Sequence, residues 1–166
     1  MTTRGNALAA GERTGEPRGI AAFREHGPVL GSVCMALLGE AAAAERALER
    51  VAAEAGSARF EASEDLLVRL LGMARVACSN QLSKLPIRSM SAGLAPASSS
   101  EAEAEAALAR SGLGRLKPTE REAVVLHVVG GLDAAQVANA CGIDLTTART
   151  RIARGVSQLV EQEKQR

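Results

Sequence analysis

Residues 116–160, LKPTEREAVVLHVVGGLDAAQVANACGIDLTTARTRIARGVSQLV, constrain the fold of this chain more than any other stretch. They spell three apolar-periodic segments interrupted at Gly130-Gly131 and at Gly142. Glycine accepts the left-handed conformation that closes a helix, so each interruption predicts a helix end. Thr119 and Glu122 stand three apart ahead of an apolar run, the spacing of a capping box, and Pro118 lies where a missing N–H does little harm. The first helix should carry Val124, Val125 and Val128 and stop at the glycine pair. A second should open at Asp133, with Gln136 as reciprocal cap, and turn Val137, Ala138 and Cys141 inward. Gly142 then makes a tight turn and Asp144 caps a third helix.

At 3.6 residues per turn, Ala148, Ile152, Gly155 and Leu159 fall together on the inner side of that third helix. Thr146, Arg149, Thr150 and Ala153 fall opposite, flanked by Arg151 and Arg154. From Leu145 to Leu159 there is no acidic side chain. An isolated arginine-bearing helix is more often a solvated face than a binding surface. A short capped helix, a glycine turn and an acid-free helix in sequence point instead to a helix-turn-helix, whose last helix enters the major groove, with arginine on guanine edges and phosphates.

These residues resemble a known family. Gly131-Leu132, Gln136-Val137-Ala138, Gly142-Ile143 and Thr147-Ala148-Arg149-Thr150-Arg151 with Arg154 are similar to the C-terminal DNA-binding domain of sigma-70 family factors, above all the short extracytoplasmic-function type. The departures are Gln136 for the usual Glu, Cys141 for Leu and Ala148 for Val. The response-regulator domain of the LuxR type starts alike but usually has His or a small residue where Arg151 stands. The resemblance implies that Thr146, Thr147, Arg149, Thr150, Arg151 and Arg154 contact the upstream promoter element.

The rest of the chain predicts an all-α fold: two small helical domains joined by a flexible linker, the second being the helix-turn-helix. Phe23 and Phe60 are the only aromatic residues among 166, so cores must be aliphatic, and no sustained period-two stretch suggests a strand. Residues 1–19 read as a flexible arm without the apolar centre of a signal peptide. Residues 20–85 form a first domain. Within it, 20–38 should be a helix bearing Val29, Leu30, Val33, Leu37 and Leu38, with Pro28 near its start, ended by Gly39. A second helix, 40–55, has Leu48 and Val51 as its main apolar positions and breaks at Gly56-Ser57. A third, 64–84, is capped by Ser63 and packs through Leu67, Leu70, Leu71, Ala74 and Ala77. Residues 86–100, PIRSMSAGLAPASSS, are the linker. Residues 101–166 hold the second domain, with a helix over 101–111 that starts after the serines and in an acidic run, and a connector at 112–117.

The first domain resembles the same family. FREHGPVLGSVCMALLGEAAAAERALERV matches its first helix pair, and residues 70–84 its third helix. The resemblance implies that Glu45, Arg46, Glu49 and Arg50 on the second helix meet core RNA polymerase. Arg46 stands for an Asp, Glu49 for a Gln and Arg50 for a Glu, and the aromatic usual near Ala52 is missing. Such sign reversals cost several kcal/mol where they meet like charges. On the third helix, the resemblance implies that Arg69, Arg75 and Lys84 lie in the promoter-melting region. Arg69 replaces a common Trp, Val76 an Asn and Asn80 an Asp, so apolar surface for holding an unstacked base is reduced and the cations remain to hold single-stranded phosphate by charge.

The expected function is therefore that of an extracytoplasmic-function sigma factor, with core RNA polymerase, promoter DNA and an anti-sigma protein as partners. One alternative is a helix-turn-helix regulator that has lost core binding or melting; another is a mimic that titrates an anti-sigma protein. A net charge of +1 provides no general basic field, so DNA affinity must be local. No Gly-rich phosphate loop, His/carboxylate cluster or nucleophile–base pair suggests an enzyme, and no cofactor is expected. Cys34, Cys78 and Cys141, without CxxC or HxxxC spacing, read as free thiols in a reducing cytoplasm rather than metal ligands. No apolar run reaches membrane-spanning length.

Overall fold

The computed structural model describes residues 16–61, 65–84 and 101–165, and among these every element is an α-helix. They are α1 (Arg18–Leu38), α2 (Ala41–Ser57), α3 (Leu66–Leu82), α4 (Glu101–Arg115), α5 (Pro118–Val128), α6 (Ala134–Cys141) and α7 (Leu145–Lys164). The all-α expectation holds. Helices α1, α2 and α3 pack on one another as one unit, and α5, α6 and α7 as a second, with α4 lying lightly on α1 and α7.

In α1, Leu30, Val33, Cys34 and Leu37 are buried at three- and four-residue spacing. Pro28 lies inside the helix, not in its first turn, and the Ser32 hydroxyl donates to its carbonyl at 3.0 Å. Gly39 closes α1 at φ 70°, its N–H on the Met35 carbonyl. The helix begins at Arg18, so the end of the expected arm is helical. There Gly19 is buried so tightly that a Cβ would lie 2.1 Å from the Ala55 carbonyl oxygen. Residues 1–15 of that arm lie outside the described residues.

Helix α2 faces the core with alanines: Ala43, Ala44, Ala47 and Ala55, with Val51, are buried, and Leu48 is only half-buried. Small side chains let the three helices approach closely. The helix ends at Ser57, at the expected break and two residues beyond the expected last residue. The helix runs through Ser57, whose hydroxyl reaches the Ala53 and Glu54 carbonyls.

Helix α3 is capped by Asp65, whose carboxylate accepts from the Val68 N–H at 3.2 Å. The expected cap Ser63 and start at Glu64 lie outside the described residues. Val68, Leu70, Leu71, Ala74, Ala77 and Cys78 are buried, while Leu67 is half-buried. Cys78 meets Cys34 of α1 in the core, and that hydrogen bond together with burial pushes the Cys78 thiol far above its ordinary value.

The linker over 86–100 and the serines before α4 also lie outside the described residues. Helix α4 extends to Arg115 through Gly112 and Gly114, which were expected to form a connector. Gly112 backs directly onto α7, where a Cβ would sit 3.2 Å from the Leu159 side chain. The buried residues of both units form one contiguous cluster, from Leu30, Leu70 and Leu71 to Leu126, Val137 and Ala148. The units therefore share a seam, formed chiefly by α3 against α6 and α1 against α5.

Candidate nucleic-acid interface

Local chemistry sets the frame of α5, α6 and α7. Pro118 is the first residue of α5, but Thr119 and Glu122 form no capping box: Lys117 is the N-cap, without a side-chain bond. Glu122 instead reaches α3. Helix α5 ends at Val128, Gly131 turns left-handed at φ 70°, and His127 Nδ1 lies 2.6 Å from the Leu132 carbonyl oxygen. Val128 is exposed on the outer side of α5.

Helix α6 opens as its sequence dictates. The Asp133 carboxylate accepts from the Gln136 N–H at 2.8 Å, and the Gln136 side chain accepts from the Asp133 N–H at 2.9 Å. Val137 and Ala138 are buried and Cys141 half-buried. Gly142 closes the helix at φ 65°, and Asp144 caps α7 by accepting from the Thr147 N–H at 2.8 Å and the Thr147 hydroxyl at 2.5 Å. Those donors, the hydroxyl foremost, hold the Asp144 carboxyl below its ordinary value, because they favour its charged form.

Ala148 and Gly155 of α7 are buried, and Ile152 and Leu159 half-buried, along one stripe. At Gly155 a Cβ would fall 2.4 Å from a Val124 methyl, so α7 crosses α5 where only hydrogen fits. Thr146, Arg149, Thr150 and Arg154 are exposed on the outer side. The Thr150 hydroxyl donates to the Thr146 carbonyl at 2.8 Å and keeps its lone pairs outward. Thr147 is half-buried and committed to Asp144. Arg151 is half-buried on a flank, near Cys141. Of the six residues singled out in the sequence, four form the open face.

Glu45, Arg46, Glu49 and Arg50 all lie exposed on one stripe of α2, opposite its alanines. Arg50 is paired with Glu54 at 3.0 Å. Arg69, Arg75 and Lys84 do not converge. Arg69 and Lys84 are exposed, whereas Arg75 turns into the seam, its Nε donating to the Ala140 carbonyl at 3.3 Å and its Nη1 lying 3.4 Å from Glu122. A groove of about 420 Å³ runs along the seam between Arg69, Met73 and Val76 on one side and Asn139, Ala140 and Cys141 on the other.

Sequence reasoning missed the buried charges of α5. Glu120 is 4% exposed and accepts from Gln158 at 3.3 Å; Arg121 is 6% exposed, with one bond to the Leu116 carbonyl and its Nε unpaired. Burial lowers Arg121 from its ordinary value, and Glu122 offsets part of that. Nothing local marks these residues; only the wrapping of α5 by other helices does. Among the described residues no His, Cys, Asp or Glu cluster could hold a metal, and no helix is long and apolar enough to cross a membrane.

Comparison with known proteins agrees with this geometry. Residues 107–159 match the family described as Sigma-70, region 4. The resemblance to the sigma-70 family therefore holds, and it rests on α4 to α7. No curated protein sequence matches the chain. Among solved structures, the fold is similar to CnrH in complex with the cytosolic domain of CnrY, with 18% identity, 88% of this chain and 87% of that chain covered, and a TM-score of 0.68. It is also similar to the sigma factor RpoE in complex with the anti-sigma factor NepR from Bartonella quintana, with 22% identity, 87% and 95% covered, and a TM-score of 0.67.

Proposed function

We propose that this chain, whose residues 107–159 match the sigma-70 region 4 family, acts as a transcription initiation subunit of the extracytoplasmic-function sigma type. It binds core RNA polymerase and reads the upstream promoter element with α7. The observation that carries this reading is the open face of Thr146, Arg149, Thr150 and Arg154 on a helix anchored from behind by Ala148 and Gly155. Arginine pairs with guanine edges in the major groove, threonine with either purine or pyrimidine edges, and flanking cations with phosphates. The mechanism is binding energy, with no chemical step by the chain itself.

The exposed stripe of Glu45, Arg46, Glu49 and Arg50 is the surface offered to the polymerase. A net charge of +1 makes independent DNA affinity small, so the polymerase tether raises the effective concentration of α7 at the promoter. An anti-sigma protein is the inhibitory partner, the class of molecule bound by the similar RpoE structure. The work of the chain belongs in the cytoplasm, where polymerase and promoter are.

One second reading has its own support. Arg46 and Arg50 reverse charges that the resemblance leads one to expect, which favours a regulator that binds duplex DNA without polymerase. A mimic that only titrates an anti-sigma protein has no use for the open α7 face. The test is to mix the full chain with core polymerase and a promoter library at low salt. Co-purification with core and selection of a shared promoter element is the expected result. Sequence-specific duplex binding without any retention on core overturns the proposal in favour of the regulator.

A further inference from the structure

We propose that a cavity bounded by the ends of α1 and α3 and the first turn of α5 is a binding site for a small monocarboxylate with an apolar body, held by the guanidinium of Arg121. The site stands whether or not the chain serves a polymerase.

Three observations meet there. The first is space. The cavity has a volume of about 310 Å³, the size of a small-molecule site, and Leu37, Cys78, Leu82 and Pro118 give it apolar walls. The second is an unanswered charge. Arg121 lines the same cavity and is only 6% exposed. It donates one bond, to the Leu116 carbonyl at 3.4 Å, and its Nε is the only buried side-chain nitrogen or oxygen without a partner among the described residues. A guanidinium carries five donors and keeps its charge at neutral pH, so burial with a single long bond leaves a desolvated cation short of acceptors. The third is the helix end. Pro118 and Arg121 belong to the first turn of α5, and the Lys117 N-cap makes no side-chain bond, so no side chain caps the positive end of that helix.

The surrounding charges set the class of ligand. Arg75 and Glu122 border the cavity as well, but they face each other at 3.4 Å, and Arg75 also donates to the Ala140 carbonyl, so both are engaged. Glu120, also in the first turn of α5, accepts from Gln158 of α7. Arg121 is left as the charge to be matched, and a single negative charge matches it. A second would meet Glu122 and the negative end of α3, whose last turn and C-cap bring Ser79, Leu82 and Ser83 to the wall. The Ser83 hydroxyl is already bonded to the Asn80 carbonyl at 2.9 Å. A carboxylate presents two oxygens in the plane that a guanidinium recognises, and the aliphatic walls take a short hydrocarbon body. Inorganic phosphate, with up to two charges and no apolar body, fits less well.

The test titrates the full chain with hexanoate, benzoate, hexanamide as an uncharged counterpart, and inorganic phosphate, all at constant ionic strength. Isothermal titration calorimetry reads affinity, and the side-chain Nε–H resonance of Arg121 reports contact. Two variants accompany the wild type, each checked for unchanged helicity by circular dichroism. Arg121→Met removes the charge, and a buried charge exchanged for an apolar side chain of like length is commonly neutral or stabilising. Leu82→Trp narrows the cavity from the α3 side and leaves Arg121 in place. At least one carboxylate should bind saturably with a Kd of about 1 mM or below, as ligands of that size allow. The Arg121 resonance should move as that carboxylate saturates. Hexanamide and phosphate should bind several-fold more weakly, Arg121→Met should abolish binding, and Leu82→Trp should weaken it several-fold. No saturable binding by either carboxylate, hexanamide binding as tight as hexanoate, or binding that survives Arg121→Met overturns the site. Should Arg121→Met lose its helicity, Leu82→Trp decides, and unchanged affinity in that variant overturns the site. Phosphate binding tighter than both carboxylates overturns the ligand class. No polymerase enters the experiment, so carboxylate binding and retention on core can each fail without the other.

Discussion

The guanidinium of Arg75 and the carboxylate of Glu122 lie 3.4 Å apart across 47 residues of sequence, with side chains 23% and 20% exposed. That exposure places the pair between a surface ion pair, worth well under 1 kcal/mol, and a buried one, whose disruption costs several. Glu122→Gln should therefore lower the free energy of unfolding by about 1 kcal/mol, and Arg75→Gln by about 1–2 kcal/mol because it also loses the Ala140 carbonyl. The double variant should lose less than the two singles together, by about 0.5–1 kcal/mol. Urea denaturation of all four proteins measures this, and strict additivity would mean that the two groups do not interact.

Gly155 and Gly31 make a matched pair on which packing and propensity can be separated. Replacing either by alanine in a helix gains up to about 1 kcal/mol from propensity and chain entropy. At Gly31 the new methyl meets nothing within 4 Å, so Gly31→Ala should raise Tm. At Gly155 it meets a Val124 methyl at 2.4 Å, and overpacking of that kind costs about 1–3 kcal/mol. Net of the propensity gain, Gly155→Ala should cost about 1–2 kcal/mol and lower Tm by about 2–8 °C, since each kcal/mol shifts a chain of this size by about 2–4 °C. A higher Tm for Gly155→Ala would show that α7 can lift off α5 without loss.

The elements that could be read in the sequence are those made by neighbours in the chain. Asp133 and Gln136, Gly142, Asp144 and Gly39 act over one turn, and the helix ends they predict are the ends observed. The inward stripe of α7 is a matter of periodicity alone. The misreadings share a cause. Gly112 and Gly114 were expected to lie in a connector, but a local preference of about 1 kcal/mol yields to tertiary packing. Thr119 and Glu122 have capping-box spacing, yet Glu122 is turned toward a partner 47 residues away. Periodicity tells which side of α3 is apolar. It carries nothing about α6 lying across Gly72, because that contact is set by residues 65 to 71 positions distant.

On DNA, the residues of α7 should divide by exposure. Arg149, exposed in the second turn of α7, should act as a base reader: Arg149→Ala should weaken promoter binding by about 1–3 kcal/mol and relax preference at one base pair. Arg154, exposed further along α7, should act on phosphate, so Arg154→Ala should weaken all sequences alike and reduce the slope of log affinity against log salt by about 1. Arg151→Ala should do less than either, since that side chain is half-buried. Fluorescence anisotropy over a salt series with polymerase present checks all three, and an Arg151 effect larger than that of Arg149 would put the reading face on the other flank.

The start of the same helix should respond to acid in a direction fixed by Asp144. Its carboxylate accepts the Thr147 hydroxyl and N–H, which favour the ionised form and depress the folded-state pKa below the ordinary 3.8. A group with a depressed folded pKa stabilises the fold above its unfolded value and loses that contribution as pH falls through the folded one. The α7 N-terminus should thus be fully capped at neutral pH and begin to fray only below about pH 4. In a nuclear magnetic resonance titration the Thr147 amide should move with a midpoint below 3.8. Asn caps helices nearly as well as Asp but does not titrate, so Asp144→Asn should keep the turn intact and abolish the shift. A Thr147 midpoint at or above the ordinary carboxylate value, or one that persists in Asp144→Asn, would show that this carboxylate does not govern the first turn of the helix that carries Thr146 and Arg149.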